Sequence, residues 1–461
     1  MKVGFVGNIA QNGWYWSKFL RQWTDIEAYC YYDGQGSTLQ WPEWAEAVFE
    51  PKALREWQLA KGEDHPPIPI RTRGFELPKW ALPMAWSYAS EPPPIDYLQH
   101  AIMPLQALRA MPAWEDILHL AQEFDVLVLC GPAAAYASLW ASHKNLRAKV
   151  VAFEHATMRL VHQRSTPGNS LLADAYQMAD HCLITNADCI EAANALGIAH
   201  RSFTPHPVDT RKFSPGSDVA WRKHLMSFLP GGPVERIFLA PARHSAFKEW
   251  GLKGNDKIFQ AFARYVHEAE PQGAPKACLV TLDYGDAVNR SRTFCAALEI
   301  QDRVIWFSLE PQMHLVRYYR AADVVLDQFH EDVGSYGTTV VEALACAKPA
   351  ITYIDQAKHE WCQDVLPIPP VYNALTAREI YDGLRAIIKP WSTVNSVRAW
   401  VDEWHSPERV TRRMADLLSE VTAQPYTWYD DPRLDVRFGG WQDDQHLTSE
   451  PAPGNHPVPV A

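Results

Sequence analysis

The sequence predicts an α/β protein of two doubly wound domains facing a cleft. Two separate stretches, about 125–196 and 236–353, alternate short apolar runs with helix-length segments. Such alternation implies crossover connections and parallel sheets. Between them lies RSFTPHPVDTRKFSP, dense in proline and turn residues, which reads as a hinge around 205–215. The length of 461 residues also suits two or three domains at roughly 150 residues each. Two such domains place ligand at the carboxyl ends of their strands, in the cleft.

Each element follows from its pattern. Residues 2–7 (KVGFVG) read as a short buried strand, Trp14 to Trp23 as a helix, and EAYCYY as a strand ending at Asp33. From about 37 to 112 prolines punctuate the chain, so an insertion of short elements is expected there. Nine of the 19 tryptophans fall in the first 114 residues, where large rings either fill gaps left by scarce regular structure or form an aromatic platform for a sugar-like acceptor. Strands follow at 125–130, 148–153 and 181–185, with helices near 133–143, 170–179 and 188–196. After the hinge come strands at 236–240, 277–282, 303–307, 324–327 and 350–353. The expected division is 1–205, 206–390, terminal helices over 391–425 packing back on the first domain, and a loosely ordered tail over 426–461.

Composition excludes several classes. A hydrophobic share of 47% rules out wholesale disorder. Net charge of −11, from 43 basic and 54 acidic residues, argues against a nucleic-acid partner, which needs a basic face. The eight cysteines are scattered without C-x-x-C, so neither a disulfide framework nor a structural zinc site is expected, and a reducing cytoplasm is the default compartment. The N-terminus lacks the pattern of a signal peptide. The most apolar stretch, Val126 to Ala141, is broken by Gly131 and Pro132 and falls short of the ~20 residues of a membrane span.

Two segments carry candidate chemistry. In residues 321–353 a strand ends at Asp327, and Gly334-Ser335-Tyr336-Gly337 forms a tight loop feeding a helix at Thr338. A helix N-terminus offers unpaired N–H groups and a positive dipole end to phosphate or sugar oxygens. Glu342, about one and a half turns inside, is placed to accept bonds from vicinal hydroxyls; the plain alternative is an ordinary βα connection with Glu342 exposed. In residues 236–266, Arg243 sits just beyond a strand, and Lys248 and Lys253 precede a helix near Asn255. Cations at a strand end can neutralise a diphosphate leaving group without a metal; alone, they would read as a solvated basic loop.

Together these segments resemble the retaining, family-4-type glycosyltransferases of the GT-B fold. VDTRKFSP (208–215) is similar to the turn opening their C-terminal domain, Arg243 with Lys253-Gly254-Asn255-Asp256 to their phosphate-binding pattern, and GSYGTTVVEALACAKPAI (334–351) to their paired-glutamate region. The resemblance covers about 205–355 and is diffuse before that. It implies two Rossmann-like domains and transfer of a hexose-type sugar from a nucleotide-diphosphate sugar to an acceptor hydroxyl, with retention and no cofactor or metal. It implies catalytic roles for Arg243, Lys253 and His155, with Arg243 and Lys253 on the donor phosphates. Glu342 would hold the ribose, the base would lie near Phe307, Leu309 and Glu310, and backbone N–H groups of Ser335 to Thr338 would meet the donor. Gly7 and Asn8 would approach it from the first strand, and Lys248 competes with Lys253. His162, His206 and His244 receive no role. One departure stands out: Gly334 occupies the place of the first glutamate, with Glu331 and Asp332 just upstream as substitutes. Two other readings remain: a non-catalytic sugar-nucleotide binder, and an NAD-dependent oxidoreductase suggested by Gly4-x-x-Gly7-x-x-Ala10 and Asp33.

Overall fold

The computed structural model describes residues 1–34, 38–50, 54, 72–73, 75–84, 113–143, 145–159, 161–245, 253–387 and 394–433. Most of the 37–112 insertion, Lys248 and the chain beyond 433 lie outside the described residues.

Two parallel sheets organise the chain. The first joins β1 (Lys2–Val6), β2 (Glu27–Asp33), β5 (Ala81–Met84), β6 (Val126–Cys130), β7 (Lys149–Phe153), β8 (His181–Ile184) and β9 (Arg201–Phe203) in the order β5-β2-β1-β6-β7-β8-β9. A small antiparallel pair, β3 (Val48–Phe49) and β4 (Thr72–Arg73), belongs to the insertion. The second sheet joins β10 (Arg236–Ala240), β11 (Ala277–Leu282), β12 (Val304–Phe307), β13 (Val324–Leu326), β14 (Ala350–Thr352) and β15 (Tyr372–Asn373) in the order β12-β11-β10-β13-β14-β15. β6 and β11 are buried along their whole length, because a parallel sheet is covered on both faces. In each sheet the strand order reverses direction at one point, beside β1 and β6 in the first and beside β10 and β13 in the second. Crevices at such points are where doubly wound sheets bind ligands.

The helices that matter below are α1 (Asn12–Trp23), α2 (Pro42–Glu46), α3 (Pro167–Met178), α4 (Asn255–Arg264), α5 (Gln312–Ala321), α6 (Thr338–Ala345), α7 (Val394–Trp404) and α8 (Pro407–Thr422). Val410, Met414, Ala415 and Leu418 of α8 share one core with Val3, Phe5, Trp16 and Val128 of the first sheet and α1. The α8 helix begins at a Ser406 cap that accepts from the Arg409 N–H, with proline at its first position.

Several expectations need correction. The helix expected at 133–143 is largely a 3₁₀ segment, Gly131–Ser138, entered through Gly131 and Pro132. The stretch read as the start of the hinge contains β9, an edge strand paired with β8, whose three residues are too few to show alternation. Trp14 stacks on Trp80 with centroids 4.8 Å apart, and both are buried with Trp16. These three rings fill the core, as the plainer of the two tryptophan readings has it; Trp44, also buried, lines the cavity described below.

Candidate active site in the interdomain cleft

A cavity of about 240 Å³ lies between the domains. Its C-terminal wall carries Phe307, Leu309, Glu310, Thr338 and Glu342; its N-terminal wall carries Ala10, Gln11, Tyr15, Leu39 and Trp44. Five donor-site candidates from different strands and loops thus meet in one cavity. His206, given no role from sequence, also lines it.

Glu342 projects from α6 and is 8% exposed. Its Oε2 accepts the Tyr319 hydroxyl at 2.7 Å. Burial pushes the carboxyl up to about 7, against the pull of the Tyr319 hydroxyl and of Lys212. Gly337 caps the N-terminus of α6, and its N–H donates to Asp327 Oδ2 at 2.9 Å. That N–H is therefore spent inside the protein, a correction to the expectation that the 335–338 amides all meet the donor. Ser335 is buried, and its carbonyl accepts from Gln328 Nε2. The Tyr336 ring stacks at 5.8 Å on His359 within the core and does not line the cavity.

Gly334 has φ of +55°, and a Cβ there would sit 2.7 Å from Asp355 Cβ. Both conditions make a larger residue costly at this position. Neither Glu331 nor Asp332 is among the residues lining the cavity. Glu331 is exposed with its carboxylate 4.0 Å from Lys257, and Asp332 is 84% exposed beside His330.

The candidate cations follow the neighbouring strand β10. Arg243 follows β10 and is exposed. Lys253 donates to Gln328 Oε1. Burial lowers its ammonium, Asp327 opposes the shift, and the positive charges of Arg159 and Arg243 add to it. Gly254 makes the approach close: at φ +70° a Cβ would lie 2.8 Å from Phe329 Cβ. Arg159 comes from the first domain, clamped on both carboxylate oxygens of Asp188. Sequence reasoning missed it, because the pair joins distant loops.

The N-terminal wall is an irregular loop after β1. Gly7 N–H donates to the Tyr31 carbonyl at 2.8 Å. Asn8 is fully buried; its amide donates to Gln11 Oε1 and the Gln40 carbonyl and accepts from the Trp14 N–H. Its side chain is thus a structural pin and leaves no polar atom for a donor. Ala10 and Gln11 hold φ of 51° and 61°, conformations costing about 1–3 kcal/mol each. Gln11 Nε2 offsets this by donating to the Leu39 and Trp41 carbonyls. His155 follows β7, and its Nε2 has no partner. His244 is by contrast satisfied at both ring nitrogens by Ser291 and Thr281.

A buried ionic network ties the two walls together. Lys18 Nζ lies 2.8 Å from Glu46 Oε1 and 2.8 Å from Asp209 Oδ2. Lys212 Nζ donates to the Tyr15 hydroxyl at 2.9 Å and to the Ala45 carbonyl, and Tyr15 donates to Gln312 of α5. Among the described residues no group of three or more His, Cys, Asp or Glu side chains is placed to hold a metal, all eight cysteines are unpaired and buried, and no helix is long and apolar enough to cross a membrane.

Comparison with known proteins fits this geometry. Residues 247–359 match the family model described as glycosyl transferases group 1. Over 149 residues the chain is 32% identical to the D-inositol 3-phosphate glycosyltransferase of Mycolicibacterium gilvum (strain PYR-GCK), covering 32% of this chain and 30% of that protein. The chain thus matches less than a third of the length of this curated relative. Similar solved structures include sucrose-phosphate synthase from Thermosynechococcus elongatus, with TM-score 0.56 and 13% identity over 92% of this chain and 99% of that one. Another is Anabaena HepE in complex with UDP and glucose, with TM-score 0.57 and 13% identity over 91% and 100%. The architecture is a two-domain GT-B fold, and its second domain carries the segment that matches the group 1 glycosyl transferases.

Proposed function

We propose that this protein transfers a sugar from a nucleotide-diphosphate sugar to an acceptor hydroxyl, with retention at the anomeric carbon. The carrying observation is that Glu342 and the Thr338 helix end line the cavity, while Arg243 follows the adjacent strand β10 and Lys253 precedes α4. The base sits by Phe307, Leu309 and Glu310, and the ribose hydroxyls donate to Glu342. Arg243 and Lys253 take up charge on the diphosphate as the glycosidic bond to it breaks, each charge-assisted bond contributing about 1.5–3 kcal/mol. The acceptor hydroxyl attacks from the face the diphosphate leaves and passes its proton to the departing diphosphate oxygen. Two of the similar proteins support this reading, one being a glycosyltransferase and another holding UDP and glucose.

The test is release of nucleoside diphosphate from a panel of nucleotide sugars, with the anomeric configuration of the product read by NMR. Gly334, with Glu331 and Asp332 both turned to solvent, favours a second reading, a binder without turnover. Nucleotide binding with no release of diphosphate from any donor–acceptor pair would establish it.

A further inference from the structure

We propose that Trp44, on a helix of the N-terminal insertion, is a wall of the nucleobase subsite, so that the base of a bound nucleotide is held by both domains. The inference deepens the transferase reading and rests on it for the place of the base beside Phe307, Leu309 and Glu310.

Unlike the loop after β1, the element that carries Trp44 is a regular helix, α2, and it is fixed from two sides. Glu46 Oε1 accepts from the Trp14 indole N–H at 3.0 Å and from Lys18 Nζ at 2.8 Å, which ties α2 to α1. The Ala45 carbonyl accepts from Lys212 Nζ, which ties it to the hinge. Trp44 directly precedes these two anchors. Its ring is 5% exposed and meets Phe49 at 60° with centroids 5.6 Å apart. The indole is thus set in place before a ligand arrives, so binding does not have to order it.

Two observations put this ring at the base end of the cavity. Leu309 packs in the same hydrophobic cluster as Trp44 and Leu39, and all three line the cavity. Gln312, at the start of α5, accepts from the Tyr15 hydroxyl, and α5 packs against α2. Leu309 and Gln312 flank Glu310, so the strand-end loop that holds the base meets the first domain on either side of that residue. The chemistry of this wall suits a flat base better than a sugar. Gln11 donates both Nε2 hydrogens to the Leu39 and Trp41 carbonyls, and the Tyr15 hydroxyl hydrogen goes to Gln312. Sugar hydroxyls need donors as well as acceptors opposite them. A base instead presents an apolar π-face, which stacks on an aromatic ring whichever base it is.

Calorimetric titration with UDP, ADP and GDP identifies the nucleoside diphosphate that the wild type prefers. Trp44→Leu, which keeps an apolar group without an aromatic face, weakens its binding about 5- to 30-fold, as loss of one ring–base stack does. Trp44→Phe, which keeps a ring, weakens it less. Ribose 5-phosphate, which carries no base, binds wild type and Trp44→Leu equally in displacement titrations. Unchanged nucleotide affinity in folded Trp44→Leu overturns the inference. An equal loss for ribose 5-phosphate also overturns it, because a purely structural role weakens both ligands. A rise confined to acceptor KM overturns it too and gives the ring to the acceptor. Should Trp44→Leu not fold, ¹⁹F NMR of the wild type labelled with 5-fluorotryptophan decides, with the Trp44 signal assigned through Trp44→Phe. That signal shifts with the nucleoside diphosphate and stays in place with ribose 5-phosphate; an unmoved signal overturns the inference. Failure of the transferase reading looks different: nucleoside diphosphate then binds without turnover of any nucleotide sugar, and the comparison of ligands with and without a base still decides the role of Trp44.

Discussion

The C-terminal wall of the cleft is made of regular elements that stop where a ligand would begin, whereas the N-terminal wall is an irregular loop held by side chains. On the first wall, β10 and β13 end beside Arg243 and Asp327, and α6 begins at Thr338; backbone geometry alone aims these groups. On the second, Ala10 and Gln11 adopt left-handed conformations that persist because Asn8 and Gln11 spend their amides on neighbouring carbonyls. The comparison teaches that substitutions on the first wall should cost binding or rate, and those on the second should cost folding.

The largest test is at the seam. Lys18→Met leaves Glu46 and Asp209 without their shared cation in a fully buried setting, and stability should fall by about 3–5 kcal/mol in denaturant unfolding. A loss below about 1 kcal/mol would show the network to be dispensable. On the C-terminal wall the pattern should invert. Arg243→Ala should lower kcat/KM by about 2–3 kcal/mol, roughly 30- to 150-fold, with the unfolding midpoint nearly unchanged, and Lys253→Ala nearly as much. Equal activity of wild type and Arg243→Ala would remove the phosphate assignment.

Glu342→Ala should weaken nucleotide binding by about 1.5–3 kcal/mol in calorimetric titration. Because the free carboxyl titrates at about 7, ribose hydroxyls that favour its ionised form should bind more weakly as pH falls below that value. Subtracting the profile of Glu342→Gln removes the titration of the ligand itself. The stability of the unliganded protein should run the opposite way: this carboxyl's folded value lies above its ordinary 4.5, so its contribution is complete below 4.5 and is lost as pH rises through about 7. Gly334→Glu should cost about 1–2 kcal/mol of stability from its left-handed backbone and raise no activity; a large rate gain would show the natural loop to be an impaired one. The smallest effect belongs to a chelator. Two side-chain cations and a helix end serving the diphosphate should leave activity within about twofold, and a requirement for added Mg²⁺ or Mn²⁺ would overturn that assignment.

The same contrast explains what could be read in the sequence. Arg243, Lys253 and Glu342 follow strands or enter helices at short, fixed distances, so local pattern placed them. The cavity adds Trp44 and Leu39 from an insertion with no periodicity, and His206 from a segment legible only as a turn. Nothing local marks Lys18 as the partner of Asp209, 191 positions away. Arg159 and Asp188 meet only because parallel β7 and β8 bring their following loops together. Asn8 looked like a ligand contact because it follows a glycine at a strand end, yet tertiary carbonyls claim its amide.

The position of α8 has a consequence for synthesis. Val410, Met414, Ala415 and Leu418 complete the core around β1, α1 and β6, although they are translated some 280 residues after Val128. The second sheet is complete once Asn373 has been made. The apolar face of the first domain therefore stays uncovered until its last helix has been made, so the second domain is expected to fold first, against the usual N-terminal-first order. A nascent chain halted near residue 406, with α7 made and α8 not yet made, should be sensitive to protease in its first 205 residues and resistant in the second domain, whose core takes Val397 and Val401 from α7.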